Sequence, residues 1–124
     1  MILDGVRMSQ RFSILLHDHP WWHWDFLLEN GDHALCWRLL RRPCCGEPIA
    51  AQQLPPHRIV YLNFEGPVSG DRGIAIQIAR GTYKIVADQP VLTITMSGLD
   101  WAQQASLESR GFNRMFWQFS ECQD

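Results

Sequence analysis

Lysine is nearly missing from this chain: ten of its eleven basic residues are arginine, and Lys84 is the exception. A surplus of positive charge is missing too, since 13 acidic residues leave a formal net charge of −2. That balance argues against strong non-specific nucleic-acid binding, which depends on a basic surface. It leaves room for a local anion site, because arginine presents a planar fork of donors that matches phosphate and carboxylate. No apolar run approaches the ~20 residues of a membrane helix. Nor do the N-terminal residues carry the apolar stretch of a signal peptide. No membrane association and a cytoplasmic location are expected. The four cysteines, Cys36, Cys44, Cys45 and Cys122, form no C-x-x-C pair, and adjacent Cys44 and Cys45 are poor geometry for a structural zinc site. Free thiols in a reducing compartment are expected. Internal repeats and low-complexity tracts are absent.

What is present suits one packed domain. The 124 residues are 46% hydrophobic and 19% charged, enough to bury a core and too few for a second domain. Residues 1–9 read as a flexible tail ahead of a single domain over 10–121, with Met8 an alternative start to Met1. Phe12, Ile14 and Leu16 alternate against Arg11, Ser13 and His17, the period of a half-buried strand. Trp22, Trp24, Phe26 and Leu28 alternate against His23, Asp25, Leu27 and Glu29. Asn30-Gly31 follows, a dipeptide suited to a tight hairpin turn, and 34–40 supplies the returning strand. Residues 41–56, with four prolines, read as a loop. Further strands are expected over 57–64, 74–80, 82–87, 91–97, 102–109 and 114–119, although 99–108 would also suit a helix. Ile74, Ile76 and Ile78 alternate cleanly, as do Leu92, Ile94 and Met96. Eight or nine short strands with little helix imply an all-β fold, a small antiparallel barrel or sandwich.

The chemistry concentrates in His17-Asp18-His19-Pro20-Trp21-Trp22-His23-Trp24-Asp25. Side chains two apart on a strand share a face, so His23 and Asp25 project together, opposite the apolar row, toward a surface or cleft. His17 ends the preceding strand, and a short loop through Pro20 brings it beside His23. Two imidazoles and one carboxylate leave coordination positions open and suit Mn²⁺, Fe²⁺ or Zn²⁺ in a catalytic site. His19 could replace His17, and a histidine on a strand face is commonly just a half-exposed polar residue. A second pair, His57 and Tyr61, falls on one face of the strand expected over 57–64. Such a pair can hydrogen-bond a substrate oxyanion or transfer a proton.

These clusters, in this order, resemble the 3′-phosphoesterase module of bacterial DNA ligase D. The likeness rests on Arg11-Phe12, His17-Asp18, His23-Trp24-Asp25-Phe26 with Leu28-Glu29, and Trp37. It continues through His57, Tyr61, Phe64-Glu65-Gly66 and Arg80-Gly81-Thr82-Tyr83, and so spans about residues 10–120. The resemblance implies an eight-stranded barrel and a manganese-dependent enzyme that removes a terminal ribonucleoside and then a 3′-phosphate from DNA ends in strand-break repair. It implies His17, His23 and Asp25 as metal ligands, with Zn²⁺ or another divalent cation as alternatives to Mn²⁺. His57 and Tyr61 would contact the scissile phosphate, and Arg41 would lie near it. Implied partners are DNA or RNA–DNA 3′ ends, bound weakly outside the site, together with a separate ligase or polymerase. One departure stands out. Where the family has a phosphate-clamping arginine two residues after the metal-binding aspartate, this chain has Leu27. Arg72 or Arg38 could take over that role; restoring the family residue, Leu27→Arg, would be expected to raise any phosphoesterase activity. The alternatives are a metal- and phosphate-binding module without catalysis, and a metallohydrolase with a different substrate.

Overall fold

The computed structural model describes residues 10–112 and 114–120. The expectations for the 1–9 tail, for Met1 or Met8 as start, and for Cys122 lie outside these residues. Nine strands follow one another: β1 (Gln10–His17), β2 (His23–Asn30), β3 (His33–Leu39), β4 (Pro48–Arg58), β5 (Gly66–Pro67), β6 (Ile74–Ala87), β7 (Leu92–Ser97), β8 (Gln104–Ser109) and β9 (Met115–Ser120). The sheet runs β1-β2-β3-β4-β9-β8-β7-β6, and a β1–β6 pairing closes it into an eight-stranded antiparallel barrel, with β5 added along β6. Closure removes the free edges of the barrel. No helix among the described residues is long and apolar enough to cross a membrane.

Aromatic side chains fill the interior. Phe12, Phe26, Trp37, Trp117 and Phe119 are all buried with Ile14, Leu39, Ile49 and Ile94. Trp117 meets the rings of Phe26 at 4.9 Å and Trp37 at 5.3 Å, each nearly edge-on, the arrangement that ring quadrupoles favour. Gly81 lies opposite Phe12, and a methyl group there would run into the Ser97 carbonyl and the Phe12 ring. Two further residues of the resemblance motif tie β1 and β6 to Glu29 near the end of β2. Arg11 donates from Nε and Nη2 to the Glu29 carboxylate at 3.1 and 3.0 Å, and the Tyr83 hydroxyl donates to the Glu29 carbonyl at 2.6 Å.

A second apolar layer lies on the outer face of β1–β3. Leu15, Leu27, Ala34, Cys36, Leu62, Val68 and Ala75 are buried together, beneath a 3₁₀ helix, Ile59–Asn63. Here the structure departs from the strand expected over 57–64. The three-residue period sets Ile59 and Leu62 on one side, where they pack against this layer. β6 holds the segment in place: Gln77 Nε2 donates to the Leu62 carbonyl at 2.9 Å and Arg80 Nη1 to Asn63 Oδ1 at 2.8 Å.

Other expectations change as well. The loop over 41–56 becomes strand from Pro48 onward. β4 pairs with β9 only through Ala51, and its register with β3 shifts around Pro55 and Pro56, positions where a missing N–H costs no regular ladder bond. The strands expected at 74–80 and 82–87 are one 14-residue strand. Ile74, Ile76 and Ile78 alternate as expected but are exposed, as are Trp21 and Trp22; Ile78 falls where the β1–β6 register shifts. The helix alternative at 99–108 gives way to β8.

Candidate metal centre

His17 and His23 face one another at the β1–β2 junction, so the five residues between them need only make a short loop. Asp25 follows two positions along β2 and shares the face of His23. Of the surface or cleft that the sequence suggested, the structure gives the cleft, with little exposure: His23 is 3% and Asp25 4% exposed. Such burial is costly for an imidazole and a carboxylate unless their polar atoms find partners.

Part of the partnering is complete. The Trp21 carbonyl lies 2.9 Å from His23 Nδ1, and the Arg72 carbonyl lies 2.7 Å from His17 Nε2. A carbonyl only accepts, so each of these nitrogens carries the proton, and the other nitrogen of each neutral ring keeps its lone pair. Those two lone-pair nitrogens turn toward Asp25. His23 Nε2 lies 3.2 Å from Asp25 Oδ1, and His17 Nδ1 lies 3.7 Å from Oδ2. His23 Nε2 and Asp25 Oδ1 are buried and have no hydrogen-bond partner among the described residues. Two ligands about 2.1 Å from one ion sit roughly 3.0–3.4 Å apart. The donors therefore fit a divalent cation: all three ligand atoms lie within 4.8 Å of one another, and a carbonyl fixes each imidazole's orientation, the usual second support of a metal-binding histidine. His19 lies farther out, exposed, with its ring 6.3 Å from that of His17.

Asp25 and His17 form one end of a cleft of about 370 Å³ whose walls include Leu15, Leu54, His57, Tyr61, Arg58 and Arg72. His57 and Tyr61 do meet, with ring centroids 5.9 Å apart, but across the turn from β4 into the 3₁₀ helix instead of along a strand. His57 repeats the pattern of the first two histidines: the Pro55 carbonyl lies 3.0 Å from Nδ1, leaving Nε2 free. The loop carrying Arg72 is fastened to the end of β1, where Asp18 Oδ1 accepts from the Ile74 amide at 2.8 Å. Gly73 makes that approach feasible, since it adopts φ +78° and any Cβ would collide with the Asp18 carboxylate.

The three arginines singled out in the sequence separate. Arg41 bonds the Pro48 carbonyl and pairs with Glu47; it lines a different groove, with Cys44, Cys45 and Trp101. Arg72 reaches the cleft, but its Nε and Nη2 are spent on the carbonyl and hydroxyl of Ser69 at 2.6 and 3.1 Å. Arg38 sits directly across from Asp25 in the β2–β3 register, and its buried Nε has no partner among the described residues.

Two residues that the sequence did not single out for the site stand beside it. Arg58 places its guanidinium 5.7 Å from the Tyr61 ring centroid. Cys36 is fully buried, and Asp25, Cys36 and His57 form a second set of donors within 4.8 Å of one another. Burial pushes the Cys36 thiol well above its ordinary pKa; the Asp25 carboxylate pushes the same way and the Arg38 guanidinium partly offsets both. Leu27, opposite Cys36, is fully buried. No protein-family model and no curated protein matches the chain.

Proposed function

We propose that the chain is a metal-dependent phosphoesterase that trims the 3′ ends of DNA, similar to the 3′-phosphoesterase module of bacterial DNA ligase D. The observation that carries this reading is the convergence of two carbonyl-anchored imidazoles on the buried Asp25 carboxylate at the end of a cleft. His17, His23 and Asp25 would hold the ion. A bound Mn²⁺ or Zn²⁺ would supply a Lewis acid for a phosphoryl oxygen. His57 acts at Nε2, accepting a hydrogen bond when neutral and donating one when protonated, and Tyr61 orients the phosphate beside it. Arg38, with an unpartnered Nε across from Asp25, supplies the charge-assisted donor that Leu27 does not. DNA or RNA–DNA 3′ ends are the substrates of this reading, with a separate ligase or polymerase acting on the healed end.

The test is to incubate the chain with Mn²⁺ and a primer–template ending in a 3′-ribonucleotide or a 3′-phosphate. The expected products are a primer shortened by one nucleoside and a dephosphorylated end. Asp25→Asn should abolish both and weaken Mn²⁺ binding at least ~10-fold. Leu15, Leu54, Val68 and Ala75 make much of the cleft wall apolar, which favours, as second reading, a metallohydrolase for a less anionic substrate. Mn²⁺ binding without any 3′-end product would overturn the phosphoesterase reading in its favour.

A further inference from the structure

We propose a second metal position beside the first, held by Asp25, Cys36 and His57, which takes a thiophilic ion such as Zn²⁺. The inference shares Asp25 with the reading above but needs neither His17 nor His23. Three observations carry it. The three donor atoms lie within 4.8 Å of one another, so one ion could reach all of them. The strand register puts Cys36 opposite Leu27, two residues from Asp25 on the same sheet face, and next to Leu54 of β4, which lines the cleft. Finally, the His57 ring is held by the Pro55 carbonyl at Nδ1, the arrangement seen at His17 and His23, so its remaining nitrogen is presented as a ligand.

The donor set differs chemically from the first. Two imidazoles and a carboxylate accept Mn²⁺ readily, whereas a thiolate selects softer zinc. Ion entry from the cleft displaces the Cys36 proton to solvent, and the metal–sulfur bond offsets the cost of a thiolate in an apolar layer. A carboxylate shared between two ions is the bridging arrangement of two-metal hydrolases, whose ions stand ~3.5–4 Å apart. While the second position is filled, His57 is a ligand and not a proton donor, so zinc occupancy competes with the role assigned to it above.

Cobalt is the probe, because Co²⁺ bound to a thiolate shows a sulfur-to-metal charge-transfer band that nitrogen and oxygen ligands lack. The full chain would carry Cys44→Ser, Cys45→Ser and Cys122→Ser, leaving Cys36 as its sole thiol. Titration should then give two equivalents of bound Co²⁺, with the charge-transfer band rising for one of them. Cys36→Ala should remove the band and weaken that equivalent at least ~10-fold. His17→Ala should lose the other equivalent and keep the band. One bound equivalent with no band overturns the second position and leaves the first intact. A band that persists in His17→Ala with a single equivalent supports the second position even where the first fails. No bound cobalt at all sinks both.

Discussion

Leu27 shows what one residue can decide. It is fully buried against Leu15, Ala34, Cys36, Leu62 and Val68, so the position where the resembled family carries a phosphate-clamping arginine is here part of an apolar layer. The sequence suggested that Leu27→Arg would raise activity. With the packing known, the expected outcome reverses. A guanidinium forced into that layer without a partner should cost more than about 3 kcal/mol, read as a lower urea midpoint, with no gain in 3′-end processing. Leu27→Met, a change of shape at similar volume, should cost less than about 1.5 kcal/mol. A folded Leu27→Arg variant with raised activity would mean that the layer opens to the cleft. His23 and Asp25 were legible because strand alternation is a local rule. Cys36 and Arg58 were not: the first enters the site through cross-strand register, the second through a helical turn in a stretch rich in strand formers.

The β2–β3 hairpin shows how register escapes a sequence. Asn30-Gly31 suggested where the chain turns, but the two-residue loop is Gly31-Asp32, with Asn30 paired to His33. Gly31 alone takes the positive φ there, +68°, as a type II′ turn requires at its first central position. A slip of one residue in the loop moves every facing pair by two, which is the difference between Asp25 meeting Cys36 and Asp25 meeting Arg38. β4 is a similar case, since its prolines argue for a loop until the shifted register around Pro55 and Pro56 is known. Tertiary packing decided both. At Gly81 the demand is steric and reads directly as a prediction. Gly81→Ala puts a methyl group against the Ser97 carbonyl and the Phe12 ring. It should destabilise the barrel by about 2–3 kcal/mol, lowering Tm on the order of 5–10 °C. An unchanged Tm would mean that β6 and β7 can part at little cost.

At the scale of the molecule, an all-β barrel or sandwich was legible from the count of short alternating segments and the eight-stranded barrel only from the family resemblance; closure through β1 and β6 was not legible, because nothing local marks two strands as neighbours. Metal binding should couple to the stability of the whole. The ligand atoms come together only in the folded chain, so an ion that binds it stabilises it, by about 2.7 kcal/mol at a hundredfold excess over Kd. Mn²⁺ or Zn²⁺ should therefore raise Tm by several degrees, and a chelator should reverse the rise. In Asp25→Asn the rise should disappear. A rise that survives that substitution would place the ion elsewhere.

The bond between the His17 ring and the Arg72 carbonyl joins residues 55 apart, and this has a bearing on the order in which the chain is made. His17, His23 and Asp25 leave the ribosome together, on one hairpin, long before the residue that orients the first of them. Until β6 is synthesised and zips onto β1, the His17 ring lacks the Arg72 carbonyl that fixes its tautomer. The contact that orients His17 thus forms only through a long-range closure, a slow kind of contact for a chain to make, so the donor set of the candidate site is complete only once β6 lies on β1.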